Sequence, residues 1–200
     1  MRPTMLLLLC AACTDVENPH NDDDNELITR VELTLSPEAG GDAEVASWSD
    51  PEADGNPLID ALLLSIDGPY VLEVAFFNDL AEPSEEITAE VAAEAAEHQV
   101  FFTGEGVLGP ATGMVTAAIV EHQYADEDSN GLPIGLLNRL IPVSAGTGEI
   151  TVRLRHLPPE GNALVKVPEL AETAAADGFA AIGGDDDVLV TFPMSVDAAE

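Results

Sequence analysis

Residues 188–196, with the sequence VLVTFPMSV, decide the fold class of this 200-residue chain. Apolar side chains occupy every second position of this stretch: Val188, Val190, Phe192, Met194 and Val196. A period of two residues is typical of a β-strand with one buried face. Proline has no backbone N–H for a neighbouring strand, so Pro193 predicts that this strand lies at a sheet edge or bulges there.

Segments with the same alternation recur from residue 26 onward, beginning with LITRVELTL at 27–35. The other predicted strands are 43–48, 61–66, 70–78, 99–103, 114–124, 136–143 and 149–156. Turns rich in Gly, Pro and Asp separate them. This pattern predicts an all-β fold, an immunoglobulin-like antiparallel β-sandwich of about 8–9 strands in one domain, residues 26–200. We expect 136–143 and 149–156 to pair as a hairpin, and a short helix near 170–176.

One segment, residues 83–102 (PSEEITAEVAAEAAEHQVFF), predicts an acidic helix inserted between strands. Alanine and glutamate favour helices, and Ser84 followed by two glutamates is a suitable N-terminus, so we expect the helix at about 84–98. Its acidic face carries Glu86, Glu90, Glu94 and His98 at intervals of four residues. Acidic neighbours at this spacing repel each other by about 0.2–0.5 kcal/mol per pair. We therefore expect salt, a bound cation or a basic partner to neutralise this face.

The charge balance of the chain excludes some partners. There are 38 acidic and 6 basic residues, which give a net charge of −32. Nucleic acids and anionic membrane surfaces are polyanions and are repelled by such a surface. Cations, a cationic partner or concentrated salt are compatible surroundings, so the acidity indicates either cation binding or adaptation to salt.

The first residues predict a targeting signal. Arg2 is followed by a short apolar run at 5–9 and by two alanines before Cys13, as in the signal peptide of a bacterial lipoprotein. Residues 1–12 would be removed and Cys13 would carry lipid; cleavage before Cys10 is the alternative. Residues 13–25 are polar and acidic and predict a flexible tether. Five leucine or methionine residues are too few to span a bilayer, so the predicted contact with the membrane is the lipid alone.

Two acidic loops predict calcium sites. Asp126, Asp128, Asn130 and Gly131 have the D-x-D-x-N-G spacing of a calcium loop, in which alternate side-chain oxygens point inward. The twelfth position is Leu137 and supplies no carboxylate, so the loop is not an EF-hand. A weaker loop has the same spacing with Asp50, Glu52 and Asp54. The alternative for both is an ordinary acidic turn, because Asp, Asn and Gly are common turn residues.

A third candidate is a transition-metal site on the predicted helix. Adjacent side chains of the acidic face, such as Glu90 with Glu94 or Glu94 with His98, are close enough to share an ion. His156 has the same phase as the inward residues of 149–156 and needs a polar partner. These residues predict a cluster for Zn²⁺ or another divalent metal. The alternative is a solvated acidic helix beside a core histidine.

The chain carries no convincing catalytic pattern. It contains no G-x-S-x-G, no H-E-x-x-H and no phosphate-binding glycine loop. Because the acidic residues are so numerous, no pair of them stands out as acid and base. We therefore expect a protein that is not an enzyme.

Five segments occur along the chain in the order NELIT (25–29), EHQ (97–99), the loop 126–135 ending in PIG, LRH (154–156) and DVLVTF (187–192). Together they resemble a family of uncharacterised acidic bacterial lipoproteins, common in Bacteroidetes and often labelled "type 1 periplasmic binding fold". The resemblance implies a lipid-anchored envelope protein and supplies no catalytic residue. The label implies two α/β lobes, whereas the alternating strands indicate a single sandwich.

These observations predict a lipid-anchored binding protein of the outer membrane, facing the periplasm or the cell surface. Its expected ligand is a divalent cation, presented beside an outer-membrane receptor. A calcium-stabilised or salt-adapted structural or adhesive module is the second possibility. A solute-binding component of an uptake system is the third, although one small domain is little for that role.

The predicted anchor is tested by Cys13→Ala. We expect this change to release the protein from the membrane fraction or to block processing, because no lipid can then be attached. Fractionation and mass spectrometry of the mature N-terminus measure both effects. Cys10→Ala is the matched control and should change neither. Unaltered membrane attachment and unaltered mass in the Cys13 variant would contradict the prediction.

Overall fold

The computed structural model describes residues 26–160 and 165–198. The predicted signal peptide, Cys13 and the predicted tether lie outside the described residues. The strands are β1 Arg30–Pro37, β2 Glu44–Ser49, β3 Leu58–Ile59, β4 Leu62–Ser65, β5 Tyr70–Asn78, β6 Glu85–Glu86, β7 His98–Thr103, β8 Val107–Leu108, β9 Val120–Tyr124, β10 Leu137–Pro142, β11 Gly146–His156 and β12 Asp185–Asp197. Helices α1 Thr88–Ala93 and α2 Leu170–Asp177 and a 3₁₀ turn at Phe179–Ala181 complete the elements.

The strands form two sheets. The larger sheet has the order β3-β2-β1-β5-β10-β9-β8, with β6 attached to β5, and the smaller has the order β4-β12-β11-β7. In the part of the chain that the structure describes, nine strands have four or more residues. The predicted all-β, sandwich-like fold is thus confirmed, while its immunoglobulin-like identity stays a prediction. Pairing is antiparallel except between β4 and β12 and between β8 and β9.

The predicted alternation places the core between the sheets. In β1, Val31, Leu33 and Leu35 are buried, and the polar residues between them are only half-buried. In β12, Phe192 and Met194 are likewise buried. Burying one such side chain fully contributes about 1.5–3 kcal/mol, so this period-two pattern supplies much of the driving force for folding.

The predicted edge position of the last strand is wrong for the strand as a whole but describes the surroundings of Pro193. β12 lies between β4 and β11, yet its pairing with β4 covers only residues 194–197. Pro193 is tolerated there because pairing with β4 begins one residue later, where Met194 lies opposite Leu62. The bulge in β12 is also elsewhere, beside Leu154 and Arg155 of β11. Pro193 therefore removes no hydrogen bond from the β4 side of the strand.

The predicted helix at 84–98 is much shorter in the structure. Only Thr88–Ala93 is helical, while Glu85–Glu86 pairs with β5 and His98 begins β7. The N–H of Ile87 donates to the carbonyl of Phe76 (2.8 Å), which holds the start of the segment against β5. Sheet pairing at both ends has overridden helix propensity. No helix of the described residues is long and apolar enough to cross a bilayer.

The predicted hairpin of 136–143 with 149–156 is also wrong. β10 pairs with β5 and β9 in the larger sheet, whereas β11 pairs with β7 and β12 in the smaller one. The intervening turn carries the chain from one sheet to the other, because the two strands turn their apolar faces toward the same core from opposite sides.

Two smaller predictions concern single elements. The predicted strand 114–124 is shorter in the structure, where it spans Val120–Tyr124. The predicted short helix near 170–176 is present as α2.

One open edge of the smaller sheet is covered by a loop. β7 is the last strand of that sheet, and the N–H of Val100 donates to the carbonyl of Ile134 (2.7 Å). The hydroxyl of Tyr124 donates to the carbonyl of Val100 (2.9 Å). Gly135 allows this approach, because a Cβ there would lie 2.7 Å from the oxygen of Val100. The cover satisfies the backbone of an otherwise exposed strand edge.

Every basic side chain of the described residues contacts a carboxylate. The pairs are Arg30 with Glu32 and Asp79, Arg139 with Glu38, Arg153 and Arg155 with Asp186, and Lys166 with Asp128. Five basic side chains are too few to neutralise so many acids, so most carboxylates of the described residues have no intramolecular counter-charge.

This distribution predicts that salt stabilises the fold. Screening shortens from about 10 Å at 0.1 M to about 3 Å at 1 M ionic strength. The repulsion among the unpaired carboxylates should fall accordingly, and the melting temperature, followed by circular dichroism, should rise from low to molar NaCl.

Calcium chloride at equal ionic strength is the control for that experiment. Screening alone makes the two salts equivalent, whereas a bound calcium ion adds a stabilisation that depends on its concentration. A melting temperature that does not respond to NaCl would contradict the prediction.

Candidate histidine–carboxylate site

Two histidines meet at one end of the smaller sheet. His98 is the first residue of β7 and His156 is the last residue of β11, and the antiparallel register places them opposite each other. Their rings stack with centroids 4.7 Å apart and an interplanar angle of 9°. Both side chains are buried, with exposed fractions of 1% and 9%. The sequence-based prediction thus named two residues that the fold brings together.

A buried aspartate completes this cluster through a β-bulge. Leu154 lies opposite Val188 and Arg155 lies opposite Asp186, so Asp187 is the extra residue of β12. The bulge turns its side chain inward, and that side chain is fully buried. Strict alternation from Val188 places Asp187 on the outer face, which is why sequence reasoning missed it. The only available signal was the run of three aspartates before an otherwise apolar strand.

The atoms of His98 and Asp187 that face each other both lack a hydrogen-bond partner among residues 26–160 and 165–198. His98 Nε2 and Asp187 Oδ2 lie 3.6 Å apart, and both atoms are buried. His98 Nδ1 lies 3.3 Å from the main-chain oxygen of Glu94. A carbonyl only accepts, so Nδ1 carries the hydrogen of the neutral ring and Nε2 keeps a lone pair. The lone pairs of His98 Nε2 and Asp187 Oδ2 then point at each other. This arrangement is unfavourable in a buried place unless a proton or a cation lies between the two atoms.

Burial acts on both groups of this pair in favour of the neutral form. Burial, reinforced by the neighbouring His156, lowers the pKa of His98 to about 4. Burial also raises the pKa of Asp187 to about 7, although the N–H of Glu26 donates to its other oxygen at 3.3 Å. Neutral imidazole is the form that coordinates a metal ion, so His98 is already in the ligating state near neutral pH.

Carboxylates surround this pair on the solvent side. Glu94 Oε2 lies 4.0 Å from His98 Nδ1, and Glu97 Oε2 lies 4.0 Å from His156 Nε2. Burial, together with the negative charges of Glu90, Glu94 and Glu85, raises the pKa of Glu26, which adjoins Asp187. Of the predicted acidic face, Glu90 and Glu94 thus lie near the His98–Asp187 pair. Such a concentration of negative charge attracts cations to the cluster.

The cluster is incomplete as a metal centre. No group of three or more histidine, cysteine, aspartate or glutamate side chains in the described residues has metal-holding geometry. Zinc ligands lie about 2.0–2.2 Å from the ion, so two donors at a tetrahedral angle are about 3.4 Å apart. The 3.6 Å between His98 Nε2 and Asp187 Oδ2 is close to that separation. The structure thus presents two donors at a ligand-like distance, with His156 beside them.

The carboxylates of the predicted calcium loop at 126–131 already have partners. Asp126 accepts the N–H groups of Gly135, Leu136 and Leu137 at 2.7–2.8 Å. Asp128 Oδ1 accepts the N–H groups of Asn130 and Leu132, and its Oδ2 lies 3.0 Å from the ammonium of Lys166. Calcium would have to displace these donors. Lys166 lies in a segment without periodicity, so no sequence pattern indicated this partner.

The second predicted calcium loop is an acidic turn closed by its own backbone. Asp50 is buried and accepts the N–H groups of Asp54 and Gly55 at 3.0 and 2.8 Å. Glu52 and Asp54 are exposed. The three carboxylates are not directed at a common point by these contacts, and the turn has the pattern typical of aspartate in loops.

A further buried histidine lies apart from the cluster. The ring of His122 packs on Phe102 (4.3 Å) and Tyr124 (4.8 Å), and its Nε2 lies 3.0 Å from Asn138 Oδ1. The amide of Asn138 donates to the carbonyl of Gly135, so its oxygen is the acceptor and His122 Nε2 carries the hydrogen. Burial lowers the pKa of His122 to about 4, despite this hydrogen bond.

Comparison of the chain with protein-family models, curated proteins and solved structures gave no match. The functional argument therefore depends on the geometry of the described residues.

The buried ring of His122 predicts a specific loss of stability in acid. An unfolded histidine binds a proton below about pH 6.5, whereas native His122 resists protonation down to about pH 4. The free energy of unfolding should therefore fall as pH falls through this window, by up to about 1.4 kcal/mol per pH unit for one group. Urea unfolding at a series of pH values measures the slope.

His122→Gln should reduce that slope. The lowered pKa of His98 contributes a loss in the same direction, while the raised pKa of Asp187 contributes a gain over nearly the same pH range, so the difference between the wild type and the variant isolates His122. The slope is informative even if the variant is less stable at every pH. Parallel stability–pH curves for the wild type and the variant would show that His122 is not the source.

Proposed function

We propose that this protein is a lipid-anchored cell-envelope protein whose β-sandwich binds a divalent transition-metal ion, with zinc as the best-fitting ion, at His98 and Asp187. One observation carries the proposal: two buried, unpartnered acceptor atoms face each other at 3.6 Å. The proposed role is binding rather than catalysis.

The chemistry of these donors favours zinc or a similar ion. Imidazole nitrogen and carboxylate oxygen are both common zinc ligands. A dication between the two atoms accepts both lone pairs and neutralises the carboxylate charge. A single shared proton would need His98 Nε2 and Asp187 Oδ2 to be closer together than the 3.6 Å observed. Binding releases the proton of Asp187 when that group is protonated, so affinity should rise with pH.

His156 is the proposed third ligand, and Glu97 or Glu94 the fourth. The ring of His156 is stacked on His98, and a rotation about its side-chain bonds is needed to direct a nitrogen at the ion. Glu94 and Glu97 are partly exposed, with exposed fractions of 41% and 35%, and lie between the histidines and solvent. They are suited to capture the ion and close the site over it.

The lipid anchor at Cys13, the outer-membrane location and the presentation of metal to a receptor belong to this proposal. They are supported by the signal-like residues 1–12 and by the high acidity of the chain. A tether of residues 13–25 would hold the metal site near the membrane, while the negative charge of the domain keeps it off anionic lipid surfaces.

The second candidate is a salt-adapted structural or adhesive module. The complete pairing of the described basic side chains favours it, as does the internal satisfaction of both loops predicted to bind calcium. In that case the His98–Asp187 pair is held together by a shared proton and binds no metal.

Zinc titration of the full chain, purified without chelator, tests the proposal. We expect one zinc ion per chain, and metal analysis together with competition against a chromophoric chelator measures it. His98→Ala should weaken binding by more than the roughly 10–100-fold typical of losing an outer partner, because a direct ligand is removed. Asp187→Asn should do the same.

Asp54→Asn is the matched control, since it makes the same chemical change in an exposed loop. It should leave zinc affinity unaltered. Calcium-dependent stabilisation without zinc binding would favour the structural candidate. Equal zinc affinities in the wild type and both site variants would show that any bound zinc lies elsewhere and would refute the proposal.

A further inference from the structure

Lys166 is a buried cation with two fixed partners. Its side chain is 1% exposed, and its ammonium lies 3.0 Å from Asp128 Oδ2 and donates to the main-chain oxygen of Ala95 at 2.6 Å. A buried ammonium is stable only where anions or carbonyl dipoles replace its hydration. Lys166 therefore joins the loop that carries Asp128 to the turn that follows α1.

The ammonium is the cation paired with Asp128 of the D-x-D-x-N-G loop. Asp128 Oδ1 is already used by the N–H groups of Asn130 and Leu132, so Oδ2 is the oxygen left for a cation. These donors and the ammonium hold the pKa of Asp128 below its usual value, although burial acts in the opposite direction. The loop keeps its acidic side chain ionised around a cation that belongs to the chain itself.

The other partner of Lys166 lies in the turn that sets up the histidine cluster. Ala95 directly follows Glu94, whose carbonyl faces His98 Nδ1 at 3.3 Å. The carbonyl of Glu97, two residues later, accepts the N–H of Leu157, which follows His156. The short turn at 94–97 thus supplies main-chain oxygens next to both histidines, and the hydrogen bond from Lys166 to Ala95 restrains the middle of that turn.

We propose that Lys166 is a positioning residue for the metal site: its ammonium clamps the Asp128 loop to the turn at 94–97 and so fixes the ring of His98 with Nε2 directed at Asp187. The inference deepens the proposed function and depends on it for its metal-binding part. Outer partners that orient a ligating histidine set its tautomer and ring direction, and their loss weakens metal binding.

A purely architectural role for Lys166 makes a different prediction. A clamp that only adds stability lowers the melting temperature when it is removed, but leaves the folded molecules with the same zinc affinity. A positioning residue changes the zinc affinity of the folded molecules and the hydrogen bond of His98 Nδ1, with or without metal.

The experiment compares Lys166→Met with Lys166→Arg in the full chain. Lys166→Met removes the charge at similar length and should weaken zinc binding by about 10–100-fold. It should also abolish the protected Nδ1–H signal of His98 in proton–nitrogen spectra of the metal-free protein. Lys166→Arg keeps the charge and should restore part of both properties. Arg139→Met, which removes an exposed cation paired with Glu38, is the matched control and should alter neither.

The two readouts separate the two proposals. If the wild type binds no zinc but Lys166→Met loses the His98 signal, the proposed function is refuted and the positioning role stands. If Lys166→Met keeps the signal and the zinc affinity and loses only thermal stability, the positioning role is refuted. Should Lys166→Met fail to fold, Asp128→Asn weakens the same clamp from its anionic side. An unaltered His98 signal in that variant would overturn the inference.

Discussion

The shortage of positive charge is the constraint on which this structure depends. A chain with 38 acidic and 6 basic residues has few intramolecular cations to distribute. The five basic residues that the structure describes are all paired: Arg153 and Arg155 join β11 to β12, and the lysine is buried against Asp128. Any other carboxylate removed from water must be satisfied by backbone N–H groups, by protonation or by an external cation. Backbone N–H groups satisfy the half-buried Asp126 and the buried Asp50, whereas only one oxygen of Asp187 has such a donor among the described residues.

Local irregularity, more than regular structure, creates the site. A regular β12 would place Asp187 in solvent, and one extra residue in the strand turns it toward His98. The rigid pairing of β7 with β11 fixes both histidines, while the short turn after α1 supplies their polar neighbours. The least regular part of the smaller sheet therefore holds the histidine–carboxylate cluster, and the strands around it supply the stability.

Sequence reasoning succeeded where a pattern depends on neighbouring residues and failed where it depends on distant ones. Alternation identified the all-β fold and the inward phase of His156, because burial imposes a period of two. Helix propensity predicted too long a helix at 84–98, because alanine and glutamate favour a helix locally even where the segment pairs with a sheet. The bulge at Asp187 and the pairing of Lys166 with Asp128 are set by tertiary contacts. A D-x-D-x-N-G spacing cannot reveal that the cation paired with Asp128 lies 38 positions away.

The pairing of β4 with β12 has a consequence for how this protein reaches its folded state. Leu62 lies opposite Met194, so a strand from the first third of the chain waits for the last residues before its sheet can form. Folding of this domain is therefore completed only after residues 194–197 have been made, and its long-range contacts make it slow. A chain that stops short of residue 194 leaves β4 without the strand it pairs with, so the smaller sheet stays incomplete until the end of β12 is present.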